Sequence, residues 1–127
     1  MFSDNMLVFH KERNETAKNS LMRVKPRVDV FEKEEAVIVR LEMPGVEREN
    51  LQVTVKDGTL HIVGDRTFPK NEGEYWLREL PDVRFERIFE LEEDLDTDKI
   101  SAEYHHGILT VSIGKKEKAK PKVIEIN

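Results

Sequence analysis

The sequence predicts an all-β protein, an antiparallel Ig-like β-sandwich. Apolar residues recur every second position in short runs rich in β-branched side chains, as half-buried strands require. Tight-turn chemistry separates the runs, Asp57-Gly58 and His105-His106-Gly107 being the clearest cases. Helical periodicity is sparse. Regular short strands with turns of this kind fit a sandwich of two sheets.

In chain order, Val28 and Val30 alternate with Asp29 and Phe31. The charged run Glu32-Lys33-Glu34-Glu35 reads as a hairpin tip, after which Val37, Val39 and Leu41 alternate with Ile38 and Arg40. Met43-Pro44-Gly45-Val46 stops that strand, and Glu47-Arg48-Glu49-Asn50 predicts one helical turn. Leu51, Val53 and Val55 alternate with Gln52, Thr54 and Lys56. Asp57-Gly58 then supplies the positive φ angles of a primed two-residue turn, and Leu60 and Ile62 open the next strand. Thr67–Asp82 is a long polar insertion whose Tyr75, Trp76 and Leu77 predict a strand that pairs elsewhere. A connection of that length inside a compact domain is usually functional. Phe85, Ile88, Phe89 and Leu91 mark a further strand. Glu92–Lys99 predicts a second helical turn with Asp96 as N-cap. Ile100–Tyr104 and Ile108–Ile113 form the last pair of strands.

Composition narrows the function. A net charge of -5 gives no basic footprint, so nucleic acid is not an expected partner. The chain has no cysteine, which excludes disulfides and thiolate chemistry. No apolar run is long enough to cross a membrane, and Met1–His10 lacks the pattern of a signal peptide, so a cytoplasmic location is expected. Carboxylates are spread over turns, and neither a Gly-rich phosphate loop nor a Gly-x-Ser-x-Gly elbow occurs, which points away from an enzyme. No cofactor or metal is expected. Adjacent strand positions such as His105 and His106 point to opposite faces, and Asp94, Asp96 and Asp98 lack the glycine and closing glutamate of an EF-hand.

The two ends differ from the middle. Residues 1–22 mix Phe2, Met6, Leu7, Val8 and Phe9 with a polar stretch and read as an arm; 23–113 read as the domain; 114–127 read as an extension. The extension starts as a basic, solvated tether and finishes with Ile124-Glu125-Ile126. Residues two apart share a side of an extended strand, so Ile124 and Ile126 form a two-pronged apolar key with Glu125 turned away. Such a key implies a lock, on this molecule or on a neighbour.

Four stretches, in order, carry a resemblance. They are Pro26-Arg27-Val28-Asp29-Val30, then Leu41-Glu42-Met43-Pro44-Gly45-Val46 followed by Asn50-Leu51-Gln52-Val53, then Ala102-Glu103-Tyr104-His105-His106-Gly107-Ile108-Leu109, and Ile124-Glu125-Ile126. Together they resemble the small heat shock proteins, built on the alpha-crystallin domain. The resemblance implies an ATP-independent holdase that binds unfolding client proteins, and a homodimer able to form larger oligomers. It implies that the key docks in a groove of a neighbouring subunit lined by Leu51, Val53, Val55, Ala102, Tyr104 and Leu109. It implies that the insertion carries a dimer-exchange strand, with Tyr75, Trp76, Leu77, Arg78, Glu79 and Arg87 at the dimer interface. The apolar residues Phe2, Met6, Leu7, Val8 and Phe9 would offer adaptable contacts to clients. A CS-type co-chaperone or scaffold module that binds one folded partner is the alternative; the insertion and the I-x-I end speak against it.

Overall fold

The computed structural model describes residues 21–69, 73–117 and 123–127. Eight strands form among them: β1 (Met22–Val24), β2 (Val28–Glu32), β3 (Ala36–Glu42), β4 (Leu51–Lys56), β5 (Thr59–Arg66), β6 (Val83–Glu90), β7 (Leu95–His105) and β8 (Ile108–Lys115). They build two four-stranded sheets, in the orders β1-β6-β5-β4 and β2-β3-β8-β7. The all-β sandwich expected from the alternation is the fold observed.

The core follows from register. Leu41 lies opposite Leu109, Val39 opposite Val111 and Val37 opposite Ile113. In the other sheet Leu60 lies opposite Phe89 and Gly64 opposite Phe85. Cross-strand partners share a face, so each sheet presents one continuous apolar surface to the other. Leu41, Met43, Leu60, Ile62, Leu109, Val111 and Ile113 are fully buried there.

The turns form as their residues dictate. Asp57 and Gly58 have φ of 53° and 75°, and His106 and Gly107 have φ of 54° and 79°, both pairs in the left-handed region that a primed hairpin turn needs. The Met43-Pro44-Gly45 reversal and the β7–β8 hairpin also meet in space. The Met43 N–H donates to the Gly107 carbonyl at 2.8 Å. A Cβ at Gly107 would lie 3.2 Å from Pro44 Cα. Glycine there serves both the turn and the close approach.

Three local features differ from expectation. Met22–Val24 forms β1, which pairs parallel to β6 and so departs from the otherwise antiparallel pattern. Its short sequence has no period, and only its neighbour on β6 makes it a strand. The helical turn expected at Glu92–Lys99 does not form; a turn at Glu93-Asp94 leads into β7. Leu95 pairs with Lys115 and packs on the core, and the irregular stretch before Ile100 is held by Asp96 Oδ1 accepting from the Asp98 N–H at 2.9 Å. Asp96 thus satisfies a backbone donor within a strand irregularity instead of capping a helix. In the insertion, residues 73–82 form no strand within the single chain. The other expected turn does form, as a short 3-10 helix at Arg48–Asn50.

A Gly107→Ala variant is expected to lose about 1–2 kcal/mol of stability from left-handed strain alone. Gly73, whose added Cβ would meet nothing within 4 Å, is the control expected to change little. Denaturant unfolding of the two variants compares them.

Candidate functional site

β4 and β7 are edge strands. On β4, Leu51, Val53 and Val55 lie opposite Gly64, Ile62 and Leu60. On β7, Ile100, Ala102 and Tyr104 lie opposite Ile113, Val111 and Leu109. Both triplets therefore face inward at a margin where no further strand covers them. Leu51, Val53, Val55, Ile100 and Tyr104 pack only partly on the core, and Ala102 remains exposed.

The two margins are tied together at one end. The Tyr104 hydroxyl shares its proton between the Met43 and Val46 carbonyls, at 2.7 and 2.9 Å. Arg48 Nη2 donates to the Tyr104 carbonyl at 2.9 Å, and its guanidinium lies 5.9 Å from the centre of the Tyr104 ring. Burial pushes the Tyr104 phenol above its ordinary pKa. The result is a fixed link between β7 and the segment that leads into β4, with half-buried apolar side chains along both edge strands.

Apolar side chains elsewhere are left in solvent. Ile124 and Ile126 are 81% and 93% exposed. In the insertion Trp76 is fully exposed, Leu77 and Leu80 are largely so, and Tyr75 is half exposed. The Arg78 guanidinium lies 4.8 Å from the Tyr75 ring centre. β2 is the edge of its sheet, with Val30 and Phe31 exposed. Scattered surface hydrophobics are ordinary; segments this apolar beside unpaired strand edges are a mark of interaction surfaces.

The Hsp20/alpha crystallin family profile matches residues 29–127. The chain belongs to that family, the small heat shock proteins. It is 37% identical over 118 residues to an 18.3 kDa class I heat shock protein of Oxybasis rubra, covering 91% of this chain and 73% of that protein. It is 31% identical over 109 residues to a probable 15 kDa heat shock protein of Leptospira interrogans, covering 86% of this chain and 84% of the relative. Among solved structures it is similar to heat shock protein 16.0 of Schizosaccharomyces pombe, with a TM-score of 0.66, 31% identity, and coverage of 82% of this chain and 99% of that one.

In this small heat shock protein most of the residues expected at sites fall on surfaces that can be compared directly. Leu51, Val53 and Val55 lie half-buried on the β4 edge, and on the β7 edge Tyr104 is half-buried and Ala102 exposed. Leu109 does not join them: at 1% exposure it lies in the core, across the β7–β8 pair from Tyr104. Glu79 is exposed in the insertion with Tyr75, Trp76, Leu77 and Arg78. Arg87, on the face of β6 that carries Phe85 and Phe89, donates from Nε to the Pro26 carbonyl at 3.0 Å. Within the chain this side chain is thus held by a backbone oxygen. Phe2, Met6, Leu7, Val8 and Phe9 lie outside the described residues.

Ile100, absent from the expected site residues, shares a face of β7 with Ala102 and Tyr104, as the two-residue period alone would show. Sequence reasoning also passed over the polar supports of the β1-β6-β5-β4 sheet. Arg84 donates from Nε and Nη2 to both oxygens of the buried Asp65, at 2.7 and 3.0 Å. That hydrogen bonding holds the Arg84 guanidinium above its ordinary pKa. Glu86 joins Arg23 of β1 to His61 of β5, the latter at 2.6 Å. These pairs fasten adjacent strands on the outer face of the sheet.

The Tyr104 phenol gives a pH prediction. Its folded pKa is raised above the ordinary value of 10.0, so the folded state holds the proton more tightly than the unfolded chain does. The associated stability is fully present below the unfolded pKa and is lost as pH rises through the folded one. Unfolding free energy measured across the alkaline range should fall less steeply in Tyr104→Phe than in the parent.

Proposed function

We propose that this small heat shock protein is an ATP-independent holdase: it binds partly unfolded proteins and prevents their aggregation, with no cofactor. The observation that carries the reading is apolar surface held in reserve at the margins of a well-packed sandwich. Ile124 and Ile126 stand in solvent, while Leu51, Val53, Val55, Ile100 and Tyr104 are only half-buried along two edge strands and, with Ala102, line the proposed groove. Burial of apolar surface is non-directional, so capture does not require a particular client sequence. Phe2, Met6, Leu7, Val8 and Phe9 of the arm are the proposed first contacts for clients. The proposed location is the cytoplasm.

In this proposal self-association uses the β2 edge for the dimer and the β4 and β7 margins for larger assemblies. In the proposed homodimer the segment 74–79 adds as a strand to the open β2 edge of a second copy, with Tyr75, Trp76, Leu77, Arg78 and Glu79 in the interface and Arg87 beside it. Larger assemblies form when Ile124 and Ile126 seat in the groove of a neighbour. Two buried isoleucine side chains contribute about 3–6 kcal/mol gross, and ordering the tail offsets most of that. A single seated key is therefore weak and reversible. Many keys in one assembly reinforce each other through effective concentration. A contact of this strength suits a cover that must come off.

Light scattering of a heat-labile client, heated with an equimolar amount of this protein, should stay low. Aggregation equal to that of the client alone would refute the holdase reading. In a second experiment, replacing both Ile124 and Ile126 by alanine should shrink any assembly larger than the dimer and leave the thermal midpoint of the sandwich in place. Mass measurement in solution, paired with thermal unfolding, checks both halves of that statement.

A further inference from the structure

The insertion between β5 and β6 is held at its neck by a set of side-chain contacts that starts at the edge of the core and runs outward. At the root, Arg66 lies opposite Val83 in the last pair of the β5–β6 ladder. The Arg66 guanidinium sits between two aromatic rings, 5.6 Å from the centre of Phe68 and 5.5 Å from that of Phe85. Its Nη2 donates across the neck to the Pro81 carbonyl at 3.1 Å. One step further out, a single oxygen ties the limbs together. Asp82 Oδ1, on the returning limb, accepts from the Phe68 N–H of the outgoing limb at 3.0 Å and from Arg78 Nη2 at 3.1 Å. Arg78 also donates from Nε to the Leu80 carbonyl at 3.3 Å and covers the Tyr75 ring. A relay of polar contacts thus runs from the sheet to the aromatic tip. Around it Phe68, Pro69, Tyr75, Leu77 and Leu80 border a cavity of about 330 Å³.

We infer that Asp82 is a positioning residue for self-association: with Arg66 it clamps the neck so that residues 74–79 reach a second copy already ordered. The inference rests on the proposed dimer and adds the device that tunes its strength. A long polar insertion with no neck contacts would have to lose its conformational freedom at the moment of pairing, and that loss would subtract from affinity. The clamp meets that cost during folding. Asp82 suits the task because it belongs to neither the core nor the exposed tip. Its side chain is 35% exposed, and both of its partners lie within the insertion. Removing it frees the loop and leaves the sandwich intact. Asparagine at the same position keeps the acceptor for the Phe68 N–H and loses the charge that pairs with Arg78.

The test compares the full-length protein with Asp82→Ala, Asp82→Asn and a tip variant, Trp76→Ser with Leu77→Ser. Dissociation to single subunits is followed by mass measurement across concentration. Thermal midpoints are taken at a dilution where every form is monomeric. Asp82→Ala is expected to weaken pairing about tenfold for each loop, hence about a hundredfold in a symmetric dimer that uses two. Asp82→Asn should fall between it and the parent. The monomer midpoint should not move, and the Phe68 amide should exchange with solvent faster in Asp82→Ala. Parent-like dissociation of Asp82→Ala, beside a tip variant that dissociates, would overturn the clamp and spare the dimer. Parent-like dissociation of the tip variant would overturn the dimer itself. A lowered monomer midpoint in both Asp82 variants would make Asp82 a stability residue and end the inference.

Discussion

Two four-stranded sheets can cover each other's centres but not their own margins. Everything distinctive about this protein follows from that constraint. Where β3, β8, β5 and β6 face each other, Leu41, Ile62, Val111 and Ile113 disappear from solvent. At β4 and β7 the same inward-facing alternation continues, but the opposing surface runs out. Edge strands also keep one side of their backbone donors and acceptors unpaired. A margin that is apolar on its inner face and unpaired along its backbone is a place where another extended segment gains both burial and hydrogen bonds.

The molecule separates its rigid parts from its adhesive ones. The core is closed by side chains that have no polar atoms, and the outer face of the β1-β6-β5-β4 sheet is fastened by Arg84 on Asp65 and by Glu86 between Arg23 and His61. The Tyr104 hydroxyl joins β7 to the segment that leads into β4, which fixes one end of the proposed groove. Against this frame the tail prongs Ile124 and Ile126 and, in the insertion, Trp76 stand almost wholly in solvent. For a chaperone the division is physically sensible. A scaffold that stays folded while its clients unfold needs stability in one place and accessible apolar surface in another, and sheets with open margins supply both.

The linkage between motifs is also geometric. Met43-Pro44-Gly45 and His105-His106-Gly107 lie far apart in the chain, yet the Gly107 carbonyl accepts from the Met43 N–H, and a Cβ at Gly107 would sit tightly against Pro44. Two stretches that read separately as turns are one joint, and the proposed groove begins beside it. The strength of a short motif here lies in the contact between motifs.

The amino-acid sequence by itself determined the class of fold, most of the strands, the tight turns at Asp57-Gly58 and His105-His106-Gly107, and the family. Those features depend on local information: a period of two, a residue that tolerates positive φ, and ordered motifs. The tertiary structure alone decided the rest. Met22-Arg23-Val24 became a strand because β6 offered an edge and Glu86 met Arg23. Glu92–Lys99 lost its expected helical turn because Leu95 gained more by packing on the core beside β8 than a short, acidic turn could gain from its own hydrogen bonds. Leu109 went into the core, across the β7–β8 pair from the half-buried Tyr104. Arg87 took the carbonyl of Pro26, a partner from across the sequence. In each case the deciding term was a contact between residues distant in the chain, and no local pattern encodes which distant surface a segment will meet.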